Sequence, residues 1–343
     1  MPAYPARQLT IALAAWGLAW ASASPVGAQQ PSLAEECWSP AALAAKTGEN
    51  IARKSDHAFD AAPTDGWLVV PSAPAANNAT GVIRRVTLPP GRKLIALTFD
   101  LCEQPGEIAG YDGAIVDYLR KENVKATFFA GGKWMRSHEE RARQLMADPR
   151  FEIGNHSEAH RNLRLIDGQK LRDEILGPQR AYESIRTHLA ETQCAIGDPG
   201  AMQHVASRLA LFRFPYGACN DRALREVHDQ GLRAIQWDLS TGDPAPGVSA
   251  SAIARAMLTA RPGSIVVSHA NGRGWHTAEA LPLAIPKLRK MGYEFVTVSE
   301  LLAAGEPVIA QDCYDNRPGD TNRYDHLAAH RHPASGGAWT LPQ

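Results

Sequence analysis

Apolar stretches of strand length alternate with amphipathic stretches of helix length over most of this chain. Repeated strand-then-helix order predicts parallel strands joined by crossover helices. Such strands close into a barrel or form an open, doubly wound sheet, and periodicity alone does not distinguish the two. The seven predicted strands are 93–100, 124–132, 151–155, 211–217, 233–240, 263–270 and 293–299. The predicted helices are 111–123, 138–148, 167–189, 221–230, 249–260 and 277–291.

Two observations disfavour other classes of protein. No glycine-rich phosphate-binding fingerprint follows the first predicted strand, which disfavours a dinucleotide-binding sheet. The 36 basic and 36 acidic side chains give a formal net charge of zero. The net charge therefore gives no indication of attraction to nucleic acid or anionic lipid, and no nucleic-acid partner is expected.

The first 28 residues have the order of a secretory signal peptide. Arg7 precedes an apolar run over 9–20, and small residues follow up to Ala28, where we expect cleavage. The run is too short to span a bilayer comfortably, although an uncleaved amphipathic anchor is an alternative. No later segment is apolar enough to cross a membrane. We therefore predict a secreted or periplasmic protein without an integral membrane segment after cleavage.

The regions on either side of the alternating part have a different composition. Residues 29–90 are rich in alanine, proline and asparagine, and only 40–54 has a helical pattern. We expect an N-terminal extension there, with a linker at 71–80. The barrel or sheet would occupy 91–304. Residues 305–343 have prolines and little periodicity, which predicts a poorly packed C-terminal tail.

Chemically active side chains follow five of the predicted strands. His156 and His160 are four residues apart, about one helical turn, so both rings could face one divalent ion. This spacing is weak evidence alone, and an aspartate after a strand is usually a helix cap. Several such groups at successive strand ends, where α/β barrels carry their active sites, are much less expected by chance. The others are Asp100, Arg213, Asp238, Asp243 and His269.

The order of these groups resembles the five motifs of the polysaccharide deacetylases, the NodB-homology carbohydrate esterases that act on N-acetylated glycans. The matching segments are Asp100, the pair His156 and His160, the Arg-Phe-Pro-Tyr-Gly of 213–217, residues 237–243, and His269. The resemblance covers about 92–302. It implies a distorted (β/α)7 barrel with an open metal site. It also implies hydrolysis of N-acetyl groups on an N-acetylglucosamine-containing polysaccharide or oligosaccharide, such as peptidoglycan or a chitin oligomer.

The resemblance implies catalytic roles for four residues. Asp100 would be the general base, oriented by Arg213. His269 would be the general acid, and we expect Asp243 rather than Asp238 to orient it, from the spacing to Trp237. An amide leaving group must be protonated as its bond breaks, and an imidazolium suits that role near neutral pH.

The resemblance also implies a metal site and substrate contacts. His156 and His160 would bind a divalent metal, expected to be Zn²⁺, which lowers the pKa of water and polarises a carbonyl group. Tyr216 and Trp237 would bind substrate, and the backbone N–H of Tyr216 would hold the oxyanion.

The first motif departs from the family pattern. A second aspartate usually follows the first and binds the metal, whereas this chain has Leu101, which cannot. Glu103 is the expected replacement, because a carboxylate suits a hydrolytic site. A Cys102 thiolate, two histidines with water, or loss of the ion are the alternatives.

Cysteine placement predicts two disulfide bonds in an oxidising compartment. Cys102 and Cys219 follow the first and fourth strands on one predicted rim, and Cys37 and Cys313 lie outside the barrel, so we expect these two pairs.

Two functions compete with deacetylation. The first is a catalytically silent carbohydrate-binding barrel that has lost its metal site, which Leu101 favours. The retained acid and base disfavour it, because a protein that only binds needs neither. The second is a metal-dependent hydrolase of another bond.

Overall fold

The computed structural model describes Met1 and residues 31–55, 57–62, 81–198 and 200–325. The chain divides into two compact units, Met1–Pro31 and Ser32–Gln343, and the fold belongs to the second. The predicted signal peptide, the linker at 71–80 and the last 18 residues lie outside the described residues. Within the described ranges, no helix is both long enough and apolar enough to cross a bilayer.

The described residues form a mixed α/β structure in which strands and helices alternate. The strands are β1 (Arg53–Lys54), β2 (Val82–Thr87), β3 (Leu94–Leu101), β4 (Glu107–Ile108), β5 (Ala126–Ala130), β6 (Phe151–Asn155), β7 (Leu211–Phe212), β8 (Arg233–Ala234), β9 (Leu239–Ser240), β10 (Ile265–His269), β11 (Glu294–Phe295) and β12 (Glu306–Ala310). The α-helices are α1 (Leu33–Cys37), α2 (Pro40–Leu43), α3 (Gly113–Lys121), α4 (Gly132–Ser137), α5 (Glu139–Met146), α6 (Gly168–Ala190), α7 (Gln193–Gly197), α8 (Asp221–Asp229), α9 (Ala250–Met257), α10 (Thr277–Lys290) and α11 (Val298–Ala303).

The main sheet is parallel throughout, as the alternation predicts. Its strands lie in the order β8-β7-β6-β5-β3-β10-β9, and β11 pairs with β3. The predicted strand 233–240 is two short strands. β8 pairs with β7 at one edge of the sheet, and β9 pairs with β10 at the other edge. One segment of chain therefore links both edges and curls the sheet. The predicted distorted barrel is confirmed.

Strand β3 shows how the sequence positions the site. Every residue of β3 is buried, and successive side chains point to opposite faces. Ile95, Leu97, Phe99 and Leu101 pack beneath the helices. The alternate residues face the barrel interior, where Leu94 and Ala96 join a second apolar cluster. Thr98 and Asp100 continue this inner row at the carboxyl end of the strand.

The segment after residue 305 packs more closely than the sequence suggests. β12 pairs antiparallel with β2 along five residue pairs. Cys313, just beyond β12, forms a disulfide bond with Cys219 on the rim, and its side chain is buried. The expectation of little packing therefore does not hold for 306–313. It failed because β12 is exposed on most of its length and has no clear apolar alternation.

Both predicted cysteine pairs are wrong. The disulfides are Cys37–Cys194 and Cys219–Cys313, with Cα atoms 5.3 and 5.4 Å apart. Cys37 ends α1, which packs against α7 and its Cys194 on the outer layer. Cys102 is a buried free thiol. Cys102 does not pair with Cys219, because the chain that follows β12 places Cys313 next to Cys219 instead.

Gly263 is the point where β2 meets the start of β10, and it gives a test of that contact. Its φ is +86°, and a Cβ there would lie 1.7 Å from the Val86 carbonyl oxygen. Gly91 has a φ of +82° but nothing within 4 Å of a Cβ, so Gly91→Ala carries the backbone strain alone, about 1–2 kcal/mol. We expect Gly263→Ala to lower the free energy of unfolding by about 1–3 kcal/mol more than Gly91→Ala, because the clash adds to the strain. Urea unfolding measures both, and equal losses would contradict the close approach.

Candidate active site

Asp100 and Arg213 form a buried ion pair at the end of β3. Arg213 Nη1 donates to Asp100 Oδ1 at 2.7 Å and to Thr98 Oγ1 at 2.8 Å. The guanidinium also lies 3.9 Å from the centre of the Phe129 ring, which stabilises its position. Burial alone would raise the pKa of Asp100, but the charges of Arg213, His156 and His269 outweigh it and hold that pKa below its usual range. Asp100 is therefore ionised at neutral pH and can accept a proton.

His269 and Asp243 form a second pair, on the neighbouring strand. β10 pairs with β3 so that His269 is opposite Asp100. His269 Nδ1 lies 3.0 Å from Asp243 Oδ1, while Asp243 Oδ2 accepts hydrogen bonds from the His269 backbone N–H and from Thr277 Oγ1, both at 2.7 Å. Burial lowers the pKa of His269, but the charge and hydrogen bond of Asp243 outweigh it and raise the pKa overall.

The structure places Asp243 beside His269 and places Asp238 elsewhere. Asp238 accepts hydrogen bonds from Ser264 Oγ and the Ile265 backbone N–H, both at 3.0 Å, at the start of β10. Asp238 therefore stabilises the first residues of β10 and does not orient the His269 imidazole at the other end of that strand.

His156 and His160 lie together, but not on a helix. β6 ends at Asn155, and Ser157 and His160 adopt left-handed backbone conformations with φ of 64° and 51°. Ser157 Oγ accepts the His160 backbone N–H at 3.1 Å and stabilises this loop. The ring centroids are 5.0 Å apart. The helical-turn interpretation of the spacing is wrong, because two left-handed residues bring the rings together instead.

The surroundings of His156 select one form of its ring. Nδ1 lies 3.0 Å from the Arg213 carbonyl oxygen, which can only accept, so Nδ1 carries the proton. Burial lowers the pKa of this side chain, which favours the neutral ring. Nε2 is buried, makes no hydrogen bond, and lies 3.5 Å from Asp100 Oδ2. Its lone pair is therefore available to a cation.

Glu103 does not reach the histidines. Its Oε2 accepts the Ala109 backbone N–H at 2.9 Å and Ser137 Oγ at 2.8 Å, and its Oε1 lies 3.2 Å from Lys133 Nζ. These partners are on the helix side of β3, opposite the barrel interior. The expectation that Glu103 is the third ligand is not met by the structure.

Cys102 lies where Glu103 was expected. One ligating atom each from Cys102, His156 and His160 lie within 4.8 Å of one another. Burial raises the pKa of the Cys102 thiol to about 12, and a bound cation reverses such a shift by favouring the thiolate. Sulfur and imidazole donors around the unpartnered His156 Nε2 fit a divalent transition metal.

Tyr216 and Trp237 take different positions at the rim. Tyr216 has a φ of 60°, and its ring packs against the His160 ring with centroids 4.5 Å apart. Trp237 is only 7% exposed, lies over Arg213, and donates from Nε1 to Asp315 Oδ1 at 3.0 Å. Tyr216 is therefore partly exposed beside His160, whereas Trp237 packs against Arg213 and offers little surface to a sugar.

Residues 311–325 also contribute to the site. Tyr324 lies against Tyr216 with ring centroids 5.1 Å apart. Arg164, from the loop that follows the histidines, donates to Asp325 Oδ1 at 2.7 Å. These contacts bring an aromatic ring to the His160 side of the site. No periodicity or motif in this part of the sequence predicts it.

Comparisons with known proteins identify the family. The polysaccharide deacetylase family model matches residues 87–235. A peptidoglycan-N-acetylglucosamine deacetylase of Bacillus cereus is 30% identical over 220 residues, 63% of this chain and 91% of that protein. A chitooligosaccharide deacetylase of Bradyrhizobium sp. is 28% identical over 225 residues, 62% of this chain and 91% of that protein.

Solved structures share the fold and the family. The peptidoglycan N-acetylglucosamine deacetylase Bc1960 is 27% identical with a TM-score of 0.51, covering 65% of this chain and 93% of its own. Wild-type BA3943 of Bacillus anthracis, a CE4 family pseudoenzyme, is 25% identical with a TM-score of 0.52, covering 65% and 69%.

The chain belongs to the polysaccharide deacetylase family. By that membership it is classed with the hydrolases that act on carbon–nitrogen bonds other than peptide bonds. The family is generally metal-dependent, and the Cys102, His156 and His160 cluster is a possible metal site.

Proposed function

We propose that this protein is a secreted or periplasmic, metal-dependent hydrolase that removes N-acetyl groups from an N-acetylglucosamine-containing glycan. One observation carries the proposal. An ionised carboxylate, Asp100, and a histidine with a raised pKa, His269, lie opposite each other on neighbouring strands, beside the unpartnered Nε2 of His156. Amide hydrolysis needs both a proton acceptor and a proton donor, together with an electrophilic centre.

Asp100 acts as the base. Its carboxylate is ionised at neutral pH and takes a proton from the attacking water. Arg213 fixes the Oδ1 atom by a 2.7 Å hydrogen bond, which leaves Oδ2 directed towards His156. The position of the base is therefore set before substrate binds, which avoids reorganisation during the reaction.

His269 acts as the acid. Asp243 holds Nδ1, so the proton that is given up lies on Nε2. The amine leaves as a neutral group only if it receives that proton while the carbon–nitrogen bond breaks. The backbone N–H of Tyr216 is the proposed donor to the oxyanion, in a turn whose φ of 60° orients the peptide unit.

His156 and His160 would hold the metal, for which we propose Zn²⁺. When bound, the ion supplies Lewis acidity, which polarises the acetyl carbonyl group and makes water a stronger acid. The hydrogen bond from His156 Nδ1 to the Arg213 carbonyl oxygen keeps Nε2 directed at this position. Arg213 thereby orients the base through its side chain and a metal ligand through its backbone.

The substrate and the compartment follow from the relatives and the disulfides. Peptidoglycan and chitooligosaccharides are the substrates in the names of the relatives, and we propose the same class for this chain. Two disulfide bonds in the described residues are typical of an oxidising compartment. They support export, in agreement with the signal-like first 28 residues.

The test is acetate release from a panel of matched substrates. We expect release from peptidoglycan or from N-acetylglucosamine oligomers, and much slower release from an O-acetylated xylan. The alkoxide of an ester is a much better leaving group than the nitrogen anion of an amide and can take its proton from water after it departs, so His269→Ala would impair amide hydrolysis far more than ester hydrolysis. Release from the ester alone would contradict the proposal and favour a hydrolase of another bond.

A binding-only barrel is the second candidate. Leu101 occupies the position of the usual metal-binding aspartate, and the BA3943 neighbour is a pseudoenzyme. The two oriented pairs, Asp100 with Arg213 and His269 with Asp243, favour catalysis, because a glycan-binding surface has no need of buried charge pairs. Glycan binding without acetate release would support this candidate.

The raised pKa of His269 predicts the pH dependence of the reaction. The acid is active while protonated, so kcat/KM is expected to fall as pH rises through a pKa above the usual value of about 6.5. Asp243→Asn removes the charge that raises this pKa, so the alkaline limb is expected to move to lower pH. Asp238→Asn is the control, because Asp238 does not contact His269. If the alkaline limb of the kcat/KM profile is unchanged in Asp243→Asn, His269 is not the general acid.

A further inference from the structure

Strand periodicity sets which residues after Asp100 can reach the histidines. Thr98 and Asp100 share the inner face of β3, and both contact Arg213. Leu101 packs on the outer face, beneath the helices. Extending the same alternation to the two residues after the end of β3 predicts Cys102 on the inner face and Glu103 on the outer one. Of the two residues after Leu101, Cys102 is therefore the one expected to face the histidines.

The contacts of the two candidates agree with this alternation. Glu103 is held by Lys133 and Ser137, which belong to helix α4 on the outer side. Cys102 is the residue whose sulfur lies within 4.8 Å of a nitrogen of His156 and of His160. Ligand atoms around a tetrahedral zinc ion are about 3.5 Å apart, so small side-chain rotations would complete the site. Among the described residues, this group includes no aspartate or glutamate, although Asp100 Oδ2 lies 3.5 Å from His156 Nε2.

Asn271 supports the Cys102 sulfur. Its Nδ2 donates to Cys102 Sγ at 3.0 Å and to the Cys102 carbonyl oxygen at 2.8 Å. Both Asn271 and Cys102 are buried. A metal-binding thiolate typically accepts such a hydrogen bond from a neighbouring polar group, which fixes its direction. The other four cysteines are paired in disulfides, so this thiol remains reduced and available.

We propose that Cys102 is the third protein ligand of the metal, so that the site is a Cys-His-His centre rather than the Asp-His-His centre of the family pattern. This inference rests on the proposed metal dependence. A sulfur ligand favours Zn²⁺ and Co²⁺ over Mg²⁺, Ca²⁺ and Mn²⁺, which prefer oxygen ligands. The departure at Leu101 is then a change of ligand and of metal preference rather than a loss of the site.

The test is the absorption spectrum of the full protein loaded with Co²⁺. A sulfur ligand gives a thiolate-to-cobalt charge-transfer band in the near ultraviolet, which histidine and carboxylate ligands do not give. We expect the band in the parent and in Glu103→Gln, and its absence in Cys102→Ser. Competition with a chelator should show Zn²⁺ binding weakened by more than about 100-fold in Cys102→Ser, beyond the effect of losing an outer-sphere partner. Cys102→Asp retains a ligating atom and should bind Zn²⁺ more tightly than Cys102→Ser.

The outcomes separate this inference from the proposed function. A cobalt-loaded parent without the charge-transfer band overturns the role of Cys102, while acetate release by the same preparation leaves the deacetylase proposal intact. A band lost in Glu103→Gln but kept in Cys102→Ser also overturns it. A parent that binds no metal at all overturns both the ligand assignment and the metal dependence.

Discussion

Asp100→Asn is expected to lower kcat by about 10²–10⁴-fold while Zn²⁺ binding remains close to that of the parent. The amide cannot accept the proton of the attacking water, although it retains the size of the carboxylate and can still receive a hydrogen bond from Arg213. Steady-state acetate release gives kcat, and chelator competition gives metal affinity. The two measurements together distinguish a base from a ligand.

A matched substitution controls for the general effect of losing a carboxylate. Asp221 is exposed at the first turn of α8, and Asp221→Asn is expected to change neither quantity. If Asp100→Asn loses metal together with activity, Asp100 is a ligand and the base must be sought elsewhere. If it retains activity, the proposed proton transfer is wrong.

The double substitution Cys219→Ser with Cys313→Ser is expected to lower the free energy of unfolding by about 4–5 kcal/mol. The bond closes a loop of 94 residues, and in the chain-entropy account long loops contribute the most. Loss of this bond also releases the chain after Cys313, which holds the Tyr324 ring against Tyr216. We therefore expect KM for the glycan to rise as well, measured at a temperature where the variant remains folded.

The other disulfide bond is the matched control. Cys37–Cys194 closes a longer loop, of 157 residues, on the outer layer. Replacing both of these cysteines with serine should lower stability by a similar amount and leave KM unchanged. Equal effects of the two double variants on KM would show that the contact between Tyr324 and Tyr216 does not influence substrate binding.

The elements with strong periodicity could be predicted from the sequence. β6 occupies the predicted 151–155, and α6 and α10 lie within one residue of their predicted ends. Their apolar positions have one clear period, so local pattern and final burial agree. The predicted strand 233–240 is broken because it serves two edges of a curled sheet, which is a property of the whole barrel.

The site could be predicted only where a residue's position on a strand determines it. Asp100 and His269 end neighbouring strands, so their convergence follows from parallel order. The rings of His156 and His160 meet through left-handed backbone conformations, which the sequence does not reveal. Disulfide connectivity depends on the long-range path of the chain, and spacing does not determine it.

The third metal ligand could be inferred from the sequence in two ways, from the type of side chain or from its position after β3, and the two ways give different residues. A carboxylate at Glu103 suits a hydrolytic site, but extending the alternation of β3 past its last residue puts 102, not 103, on the face of Asp100. Lys133 then provides Glu103 with a partner on the opposite side. Position relative to the strand therefore supports the proposed Cys102 ligand, whereas the type of side chain alone favoured Glu103.

The most direct test of deacetylation is to measure acetate and free amine from the same N-acetylglucosamine glycan, with and without metal. We predict one amine for each acetate from the Zn²⁺-loaded protein, none after chelation, and recovery when Zn²⁺ is restored. Glycan binding with no acetate in any of the three states would contradict the account and identify a binding-only barrel.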